Sequence, residues 1–232
     1  MIYSFLPLLF AAVFATPAKN QKSTYLTHHV EVVSKETAAI RAGRVYHALV
    51  SNCGRPAENV FAAAFEGFYN LKAEGRVEKD ILTVVDFSLS SNQKRLWVID
   101  LAQQKVLYNT LVAHGRNTGN EFANVFSNRA ESNMSSLGFY ATGEIYYGKH
   151  GKSLRLDGLQ KGINDNARRR AVVIHGADYV SESFIKRHSR LGRSQGCPAI
   201  PVELTDEIIQ TIKDKSCLYI YHPSTDNKKA VS

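Results

Sequence analysis

The amino-acid sequence predicts a mainly β domain with helices, of the α+β class. From residue 81 onward, short apolar segments rich in β-branched and aromatic residues follow one another at strand length, separated by polar turns. Helical spacing, with apolar residues three and four apart, is found mainly before residue 81 and after residue 179. Predicted strands therefore outnumber predicted helices. The 232 residues are 44% hydrophobic, which is enough for a substantial core.

The first eighteen residues have the pattern of a secretory signal peptide. They carry no charged side chain and run apolar from Ile2 to Phe14. A cleavage site of the small-x-small type follows at Val13-Phe14-Ala15. The apolar run is too short for a membrane span of ordinary length. We therefore expect a signal over 1–18, export to the periplasm or cell envelope, and no stable membrane span after cleavage.

An N-terminal segment over residues 19–80 follows, with a polar lead-in and two helices. The helices are expected over 37–49 and 57–73, on either side of the break NCGRP. The main domain is expected over 81–223 and a polar tail over 224–232.

Within the main domain, strands alternate with loops before two helices appear. The polar, aperiodic stretch 114–136 predicts a long functional loop. The hairpin loop AQQK is expected to join the second and third strands. The expected elements are strands within 81–89, 94–101, 105–115, 138–149, 153–159, 171–174 and 217–221, a short helix over 180–187 and an amphipathic helix over 202–213.

The charge and the cysteines narrow the partners and the chemistry. The net charge of +8 favours acidic partners, and for an exported protein these are cell-wall polymer or a membrane surface rather than nucleic acid. Three cysteines cannot all pair within one chain. Cys53 and Cys217 are either bridged or separate, with Cys217 in the apolar run CLYIY. Cys197 differs from both, because it lies in the glycine-containing turn GRSQGC, where packing has little use for a thiol.

Cys197 and His175 form a candidate acyl-transfer pair. A thiol attacks as the thiolate, so an ordinary cysteine needs a neighbouring base. His175 ends a predicted buried strand and is followed by Gly176, which gives the backbone room to turn. An imidazole can take the thiol proton and return it to a leaving amine. Gly196 would let main-chain N–H groups point at a carbonyl oxygen. The alternative is a structural histidine and an incidental cysteine.

Several motifs resemble the murein L,D-transpeptidase catalytic domain family, which has the YkuD-like fold. VVIHGADYVS at 172–181 and LGRSQGCPAI at 191–200 fit the subfamily pattern VIHGA-Y-V-S followed by GRS-x-GCPA. The segments VVDFSLSSNQKRLWVIDL, LVAHGRNTG, FSN and SSLGFYATGEIYYGKHGKSLRLDGL also fit it, so the resemblance covers most of 81–221. It implies a β-sandwich catalytic domain over 81–223.

The resemblance also implies the reaction. Cys197 would attack the carbonyl at the L-centre of a diaminopimelate residue in a peptidoglycan tetrapeptide stem, expel D-alanine and leave a thioester. An amine of a second stem, or of another acceptor, would then resolve the thioester. The chemistry needs no metal and no other cofactor. Anionic stems agree with the net charge of +8.

Further site residues surround this pair. The expected active-site turn comprises Ser194, Gln195 and Gly196, with Gly176 beside the histidine. Gln195 stands where the commoner family pattern has a second histidine, and the arginine that often follows the cysteine is absent. Candidate substrate-binding residues are Arg193, His114 and Tyr179. Arg190 and Arg170 are alternatives for a carboxylate-binding charge, although the run ARRR is more typical of a solvated basic face. For His114 a role at the end of a strand is an equal alternative.

Other functions fit parts of the same pattern. Water as the acceptor would give an L,D-carboxypeptidase or a cross-link hydrolase, and loss of turnover would leave a wall-binding module. A papain-like peptidase is disfavoured because those families place the cysteine before the histidine. A zinc enzyme is disfavoured because HGAD lacks the usual ligand spacing. The oligomeric state is not predicted.

Overall fold

The strands join into one mixed sheet of eight strands. The computed structural model describes residues 38–224, which belong to a single compact unit. The predicted signal over 1–18 and the lead-in lie outside the described residues, as do residues 225–232 of the predicted tail. The strands are β1 (Ile81–Asp86), β2 (Leu96–Asp100), β3 (Lys105–Thr110), β4 (Gly138–Gly148), β5 (Gly151–Gly158), β6 (Val173–Gly176), β7 (Ala199–Ile200) and β8 (Cys217–Tyr221).

The order of strands across the sheet is β3-β2-β1-β8-β4-β5-β6-β7. β8 runs parallel to β1, and β7 runs parallel to β6. The remaining neighbours are antiparallel. An isolated bridge between Ala113, which follows β3, and Ala199 in β7 brings the two edges of the sheet together. The sheet thus approaches a barrel, and the predicted fold class, mainly β with helices, is confirmed.

Helices cover both faces of this sheet. They are α1, described over residues 38–48, α2 (Glu58–Ala73), α3 (Glu182–His188) and α4 (Val202–Ile212). Because side chains alternate along a strand, β8 contributes to two separate cores. Tyr219 packs in the same cluster as the aromatic side of α2, whereas Leu218 and Ile220 pack in the cluster that contains the isoleucines of α4.

α2 belongs to the core of the sheet. Phe61 and Phe68 are fully buried and share one apolar cluster with Val84 of β1 and Tyr219 of β8. Burying each such ring stabilises the fold by about 1.5–3 kcal/mol. This packing joins α2, which precedes the domain start predicted at Ile81, to the sheet that follows it.

The three cysteines are all free thiols. Cys217 is buried in the core beside α2, and burial raises the pKa of its thiol to about 12. Cys53 is exposed in the connection between α1 and α2. The disulfide between them that the sequence allowed is therefore absent, and the alternative of two separate cysteines is the one observed.

Candidate active site

Cys197 and His175 are brought together by the parallel pair β6 and β7. His175 is opposite Ala199 in the register of the two strands, and Cys197 lies two residues before Ala199. Neighbouring strands are about 4.8 Å apart. The pairing therefore places the nucleophile turn beside the end of β6, and both side chains line one groove.

Ser194 organises the turn that carries the cysteine. Its hydroxyl donates to the Cys197 carbonyl at 2.6 Å and accepts the Gly196 N–H at 3.0 Å. Its main-chain N–H donates to the carbonyl of His114 at 3.0 Å. Ser135, in the long loop, donates its hydroxyl to the Gly196 carbonyl at 3.1 Å. The turn is thus fixed to the strand on one side and to the loop on the other.

Gly196 is required by the geometry of this turn. Its φ of +123° lies in a region that side chains disfavour. A Cβ here would meet the Met134 carbonyl oxygen at 2.8 Å and Nη2 of Arg170 at 3.3 Å. The N–H of Gly196 is bound to Ser194, so it is not free for a ligand.

His175 is positioned as a neutral base. The imidazole is only 2% exposed, and its Nδ1 lies 2.9 Å from the Gly176 carbonyl, which can only accept a hydrogen bond. Nδ1 therefore carries the proton, and Nε2 remains the acceptor. Burial lowers the pKa of His175, the Gly176 carbonyl opposes this, and the charges of His150 and Lys149 lower the pKa further. The neutral form needed to accept a proton therefore predominates at neutral pH.

The hairpin between β4 and β5 supplies a second histidine. The ring of His150 stacks on that of His175 with centroids 4.4 Å apart and an interplanar angle of 25°. His150 itself is exposed. It covers one face of the base and limits the orientations that the base can adopt.

The groove at this site has a volume of about 570 Å³ and is predominantly cationic. Glu131 is its single carboxylate, against Lys149, Arg170 and Arg193. Its lining includes the predicted residues Cys197, His175, Ser194, Gln195, Arg193 and Tyr179, and also Glu131, Asn133, Tyr146, Lys149, His150 and Arg170 to Val173.

The thiol of Cys197 is half-buried at the floor of the groove. Its sulfur lies 3.8 Å from the carbonyl oxygen of Ala171. Burial raises the pKa of this thiol, while the Val173 N–H, the guanidinium of Arg170 and the ammonium of Lys149 lower it. Burial has the larger effect, so the resting form is the thiol, and a base would be needed to form the thiolate.

Tyr179 and Arg193 form the rim on the far side of the turn. Burial and the nearby Cys197 raise the pKa of Tyr179 to about 12, so its phenol stays protonated. Arg193 donates to the Gly119 carbonyl at 3.1 Å and to Oδ1 of Asn120 at 2.8 Å. Its charge is thus held at the mouth of the groove.

His114 is not one of the residues that line the groove. Its side chain is 1% exposed, and Nη2 of Arg95 donates to its Nδ1 at 2.8 Å. Burial, and then the charge of Arg95, lower the pKa of His114 to about 4. The structure therefore favours the structural alternative, in which the His114 carbonyl supports the turn through Ser194.

The groove also contains residues of the hairpin and of the long loop that the sequence patterns do not identify. Lys149 and His150 lie in the run GKHG, whose flanking glycines resemble an ordinary turn. Glu131 and Asn133 lie in the stretch 114–136, which the sequence predicts to be a functional loop with His114 as its candidate binding residue. The signal that could have found His150 is its position at the tip of a long hairpin between two predicted strands.

The described residues contain neither a membrane-spanning helix nor a cluster of metal-binding side chains. Within 38–224, no helix combines the length and the apolarity needed to cross a membrane. The same residues contain no group of three or more histidine, cysteine or acidic side chains arranged to hold a metal ion.

Comparison with known proteins adds a family assignment. The sequence model of the L,D-transpeptidase catalytic domain matches residues 55–221 of the chain. This match includes α2, β1 to β8 and both Cys197 and His175. A comparison with curated proteins finds no match.

Solved structures are similar at low identity. An L,D-transpeptidase from Mycobacterium smegmatis is 10% identical, covering 62% of this chain and 59% of that one, with a TM-score of 0.38. The helical cell shape determining protein Pgp2 from Campylobacter jejuni is 14% identical over 63% and 48%, with a TM-score of 0.40. An L,D-transpeptidase from Xylanimonas cellulosilytica is 9% identical over 79% and 92%, with a TM-score of 0.37. The chain thus spans about three fifths of the length of the first of these. The assignment of this chain to a family rests on the sequence match over residues 55–221.

Proposed function

Because the chain belongs to the L,D-transpeptidase catalytic domain family, we propose that it is a cysteine-dependent acyltransferase of peptidoglycan stem peptides. The observation that supports this most directly is the convergence of Cys197 and His175 from paired strands into one cationic groove. A thiol and a buried neutral imidazole that line the same groove are the kind of pair that acyl transfer requires.

The first half-reaction forms the thioester. Nε2 of His175 accepts the proton of the Cys197 thiol, and the sulfur attacks the carbonyl carbon at the L-centre of diaminopimelate. The tetrahedral intermediate collapses with cleavage of the C–N bond, and the imidazolium returns the proton to the departing amine of D-alanine. The Gly176 carbonyl, bound to Nδ1 of the histidine, supports the imidazolium that forms in between.

The second half-reaction regenerates the enzyme. The amine of an acceptor stem attacks the thioester carbon and gives its proton to His175. The C–S bond breaks, and the thiolate recovers this proton from the imidazolium. The acceptor therefore needs the same groove as the donor, and the protein ends each cycle in its starting protonation state.

The remaining groove residues are assigned to binding. The charges of Arg193 and Lys149 suit the carboxylates of a stem peptide, and the protonated phenol of Tyr179 can donate to a peptide carbonyl. Since the Gly196 N–H is bound to Ser194, the developing oxyanion is left to the amides of Gln195 and Cys197. The predicted signal at 1–18 would place this activity in the cell envelope, where the substrate lies.

Mass spectrometry of a defined substrate tests the proposal. Purified protein without residues 1–18 is incubated with disaccharide-tetrapeptide. Loss of D-alanine together with cross-linked dimers is the expected result, and loss of D-alanine without dimers would instead identify a carboxypeptidase. The Cys197→Ala variant should lose the reaction completely, and His175→Gln should lose at least about 100-fold in rate.

The matched control is Cys53→Ala, which removes the exposed thiol outside the groove. It should retain the full rate. Retention of activity by Cys197→Ala would rule out the mechanism, and a protein that bound the substrate without any turnover would be a wall-binding module.

A further inference from the structure

One wall of the groove is the segment just before β6. The Ala171 carbonyl lies 3.8 Å from the sulfur of Cys197, and the Val173 N–H interacts with the thiolate form. One short segment thus presents an acceptor to the thiol and a donor to the thiolate.

Ala171 holds a conformation that is unusual for a residue with a side chain. Its φ is +53°, in the left-handed region. The Val172 N–H donates to the Ala167 carbonyl at 3.0 Å, and the Ala171 N–H donates to the Arg168 carbonyl at 3.0 Å. These two bonds form a Schellman motif, in which the left-handed position is usually glycine. The motif fixes the direction of the Ala171 carbonyl and of the preceding side chain.

That preceding side chain, Arg170, turns inward. Its Nη1 donates to the Ser127 carbonyl at 2.8 Å and to the Ser136 hydroxyl at 3.2 Å. Its Nη2 donates to the Met134 carbonyl at 2.6 Å and to the Ser132 hydroxyl at 3.4 Å. All four partners are neutral and lie in residues 127–136, which we call the arginine-bound loop. This loop contains Asn133 and Glu131 of the groove.

The other two arginines of the same run behave differently. Arg168 pairs with Glu144 and Asp157 on the exposed side of the sheet. Arg169 is exposed and donates to Oδ1 of Asn166 at 3.0 Å. Arg170, by contrast, makes no ion pair within residues 38–224 and is only half exposed. The solvated basic face predicted for the ARRR run therefore describes Arg168 and Arg169, while the third guanidinium faces the site.

A cation held in this way affects an adjacent anion more than a mobile one does. Lys149 also faces Cys197, but it is exposed at the tip of a hairpin. The other titratable or charged groups that line the groove are His175, His150, Tyr179, Tyr146, Glu131 and Arg193, and the buried phenol of Tyr140 also lies near Cys197. Arg170 differs from these groups because its half-buried guanidinium makes four hydrogen bonds and lies 3.3 Å from where a Cβ of Gly196, the residue before Cys197, would stand.

We propose that Arg170 is a positioning residue of this site, with two linked effects. Its guanidinium provides the fixed positive charge that favours the Cys197 thiolate, and its four hydrogen bonds hold the arginine-bound loop as a wall of the groove. The inference rests on the proposed function only in taking Cys197 as the reactive thiol. It predicts that loss of the charge weakens the nucleophile and that loss of the hydrogen bonds loosens the loop.

The pH dependence of alkylation measures the first effect without any peptidoglycan substrate. In a Cys53→Ser background, the rate of iodoacetamide addition to Cys197 is followed by mass spectrometry between pH 6 and pH 10. Arg170→Gln is expected to raise the midpoint by about one pH unit and to slow alkylation at pH 7 about threefold, because the roughly tenfold loss of thiolate is partly offset by its greater nucleophilicity. Arg169→Gln is the matched control and should change neither quantity. An unchanged midpoint in folded Arg170→Gln, or an equal shift in Arg169→Gln, would overturn the proposal.

Arg170→Lys separates the effect of the charge from that of the hydrogen bonds. It also tests the proposal if Arg170→Gln does not fold. It keeps the charge but cannot satisfy four acceptors, since an ammonium has three protons. The midpoint should stay within about half a unit of the parent, while amide exchange in residues 127–136 becomes at least about tenfold faster. A shift of more than about one unit would refute the role of charge, and unchanged exchange would refute the role of the bonds.

These readouts also distinguish the two proposals. Normal alkylation behaviour in a protein that processes no stem peptide would refute the proposed function and leave the role of Arg170 standing. Full transpeptidation with no effect of Arg170→Gln on the midpoint would refute the role of Arg170 and leave the proposed function standing.

Discussion

Protonation of His114 should destabilise this protein in mild acid. The imidazole is buried, its Nδ1 accepts from Arg95, and its Nε2 has no hydrogen-bond partner in the part of the chain that the structure describes. The neutral ring is therefore the form that the fold accommodates. A second positive charge would be desolvated and repelled by the buried guanidinium of Arg95, and the backbone of Gly119 and Asn120 offsets this only in part.

The size of the effect follows from the pKa of His114, which lies at about 4 in the folded state and at 6.5 as its ordinary value. Because the folded pKa is depressed, the stabilising contribution is complete above pH 6.5 and is lost as the pH falls through 4. Linkage gives a loss of about 2 kcal/mol at pH 5 and about 3 kcal/mol below pH 4. Since the His114 carbonyl binds Ser194, the region that loosens includes the nucleophile turn.

Urea unfolding at fixed pH tests this against His114→Gln, which can still accept from Arg95 and is neutral at every pH. The free energy of unfolding of the parent, relative to the variant, should fall by about 2 kcal/mol between pH 7.5 and pH 5. Other groups titrate in both proteins and cancel. His47→Gln, at an exposed site on α1, is the control and should give parallel curves. Parallel curves for His114→Gln would refute the reasoning.

Three further substitutions test the packing of the site and of its support. Gly196→Ala should lower the free energy of unfolding by at least about 2 kcal/mol and abolish activity, because φ is +123° and the new Cβ meets the Met134 carbonyl. Phe61→Ala should cost about 3–5 kcal/mol, since the ring is fully buried under α2. Glu144→Gln should cost less than about 1 kcal/mol although Arg168 holds the pKa of Glu144 at about 2, because the pair is exposed to solvent. Thermal and urea unfolding measure all three.

Each of these predictions has a contrary outcome. Normal stability in Gly196→Ala would mean that the turn can adopt another conformation. A cost below about 1 kcal/mol for Phe61→Ala would mean that α2 contributes little to the core. A loss above about 2 kcal/mol in Glu144→Gln would mean that this surface pair is coupled to a larger network.

The strands, and the place of His175 at the end of one of them, were predictable because their signals are local. The run Ala171–Ile174 ending at His175 predicted β6, and the glycine turn drew attention to Cys197. CLYIY and ILTVVD were predicted as strands because both are apolar and rich in β-branched or aromatic residues, and they pair with one another in the centre of the sheet.

Other parts of the site depend on contacts between residues far apart in sequence. β7 has two residues, too few for any periodicity, and exists because His175 and Gly176 of β6 pair with it. His150 reaches His175 only through the register of β4 and β5 with β6. The inward direction of Arg170 depends on a left-handed alanine, which no propensity predicts.

The central position of β8 bears on when the molecule can assemble during synthesis. β1 to β3 form one group of neighbouring strands and β4 to β7 form another, and β8 is the strand that hydrogen-bonds to both. A ribosome therefore releases both groups before the strand that unites them. Pairing between distant segments also slows assembly. A nascent chain stopped before Cys217 would lack the connecting strand. We therefore expect the complete sheet to form only after residues 217–221 have been made.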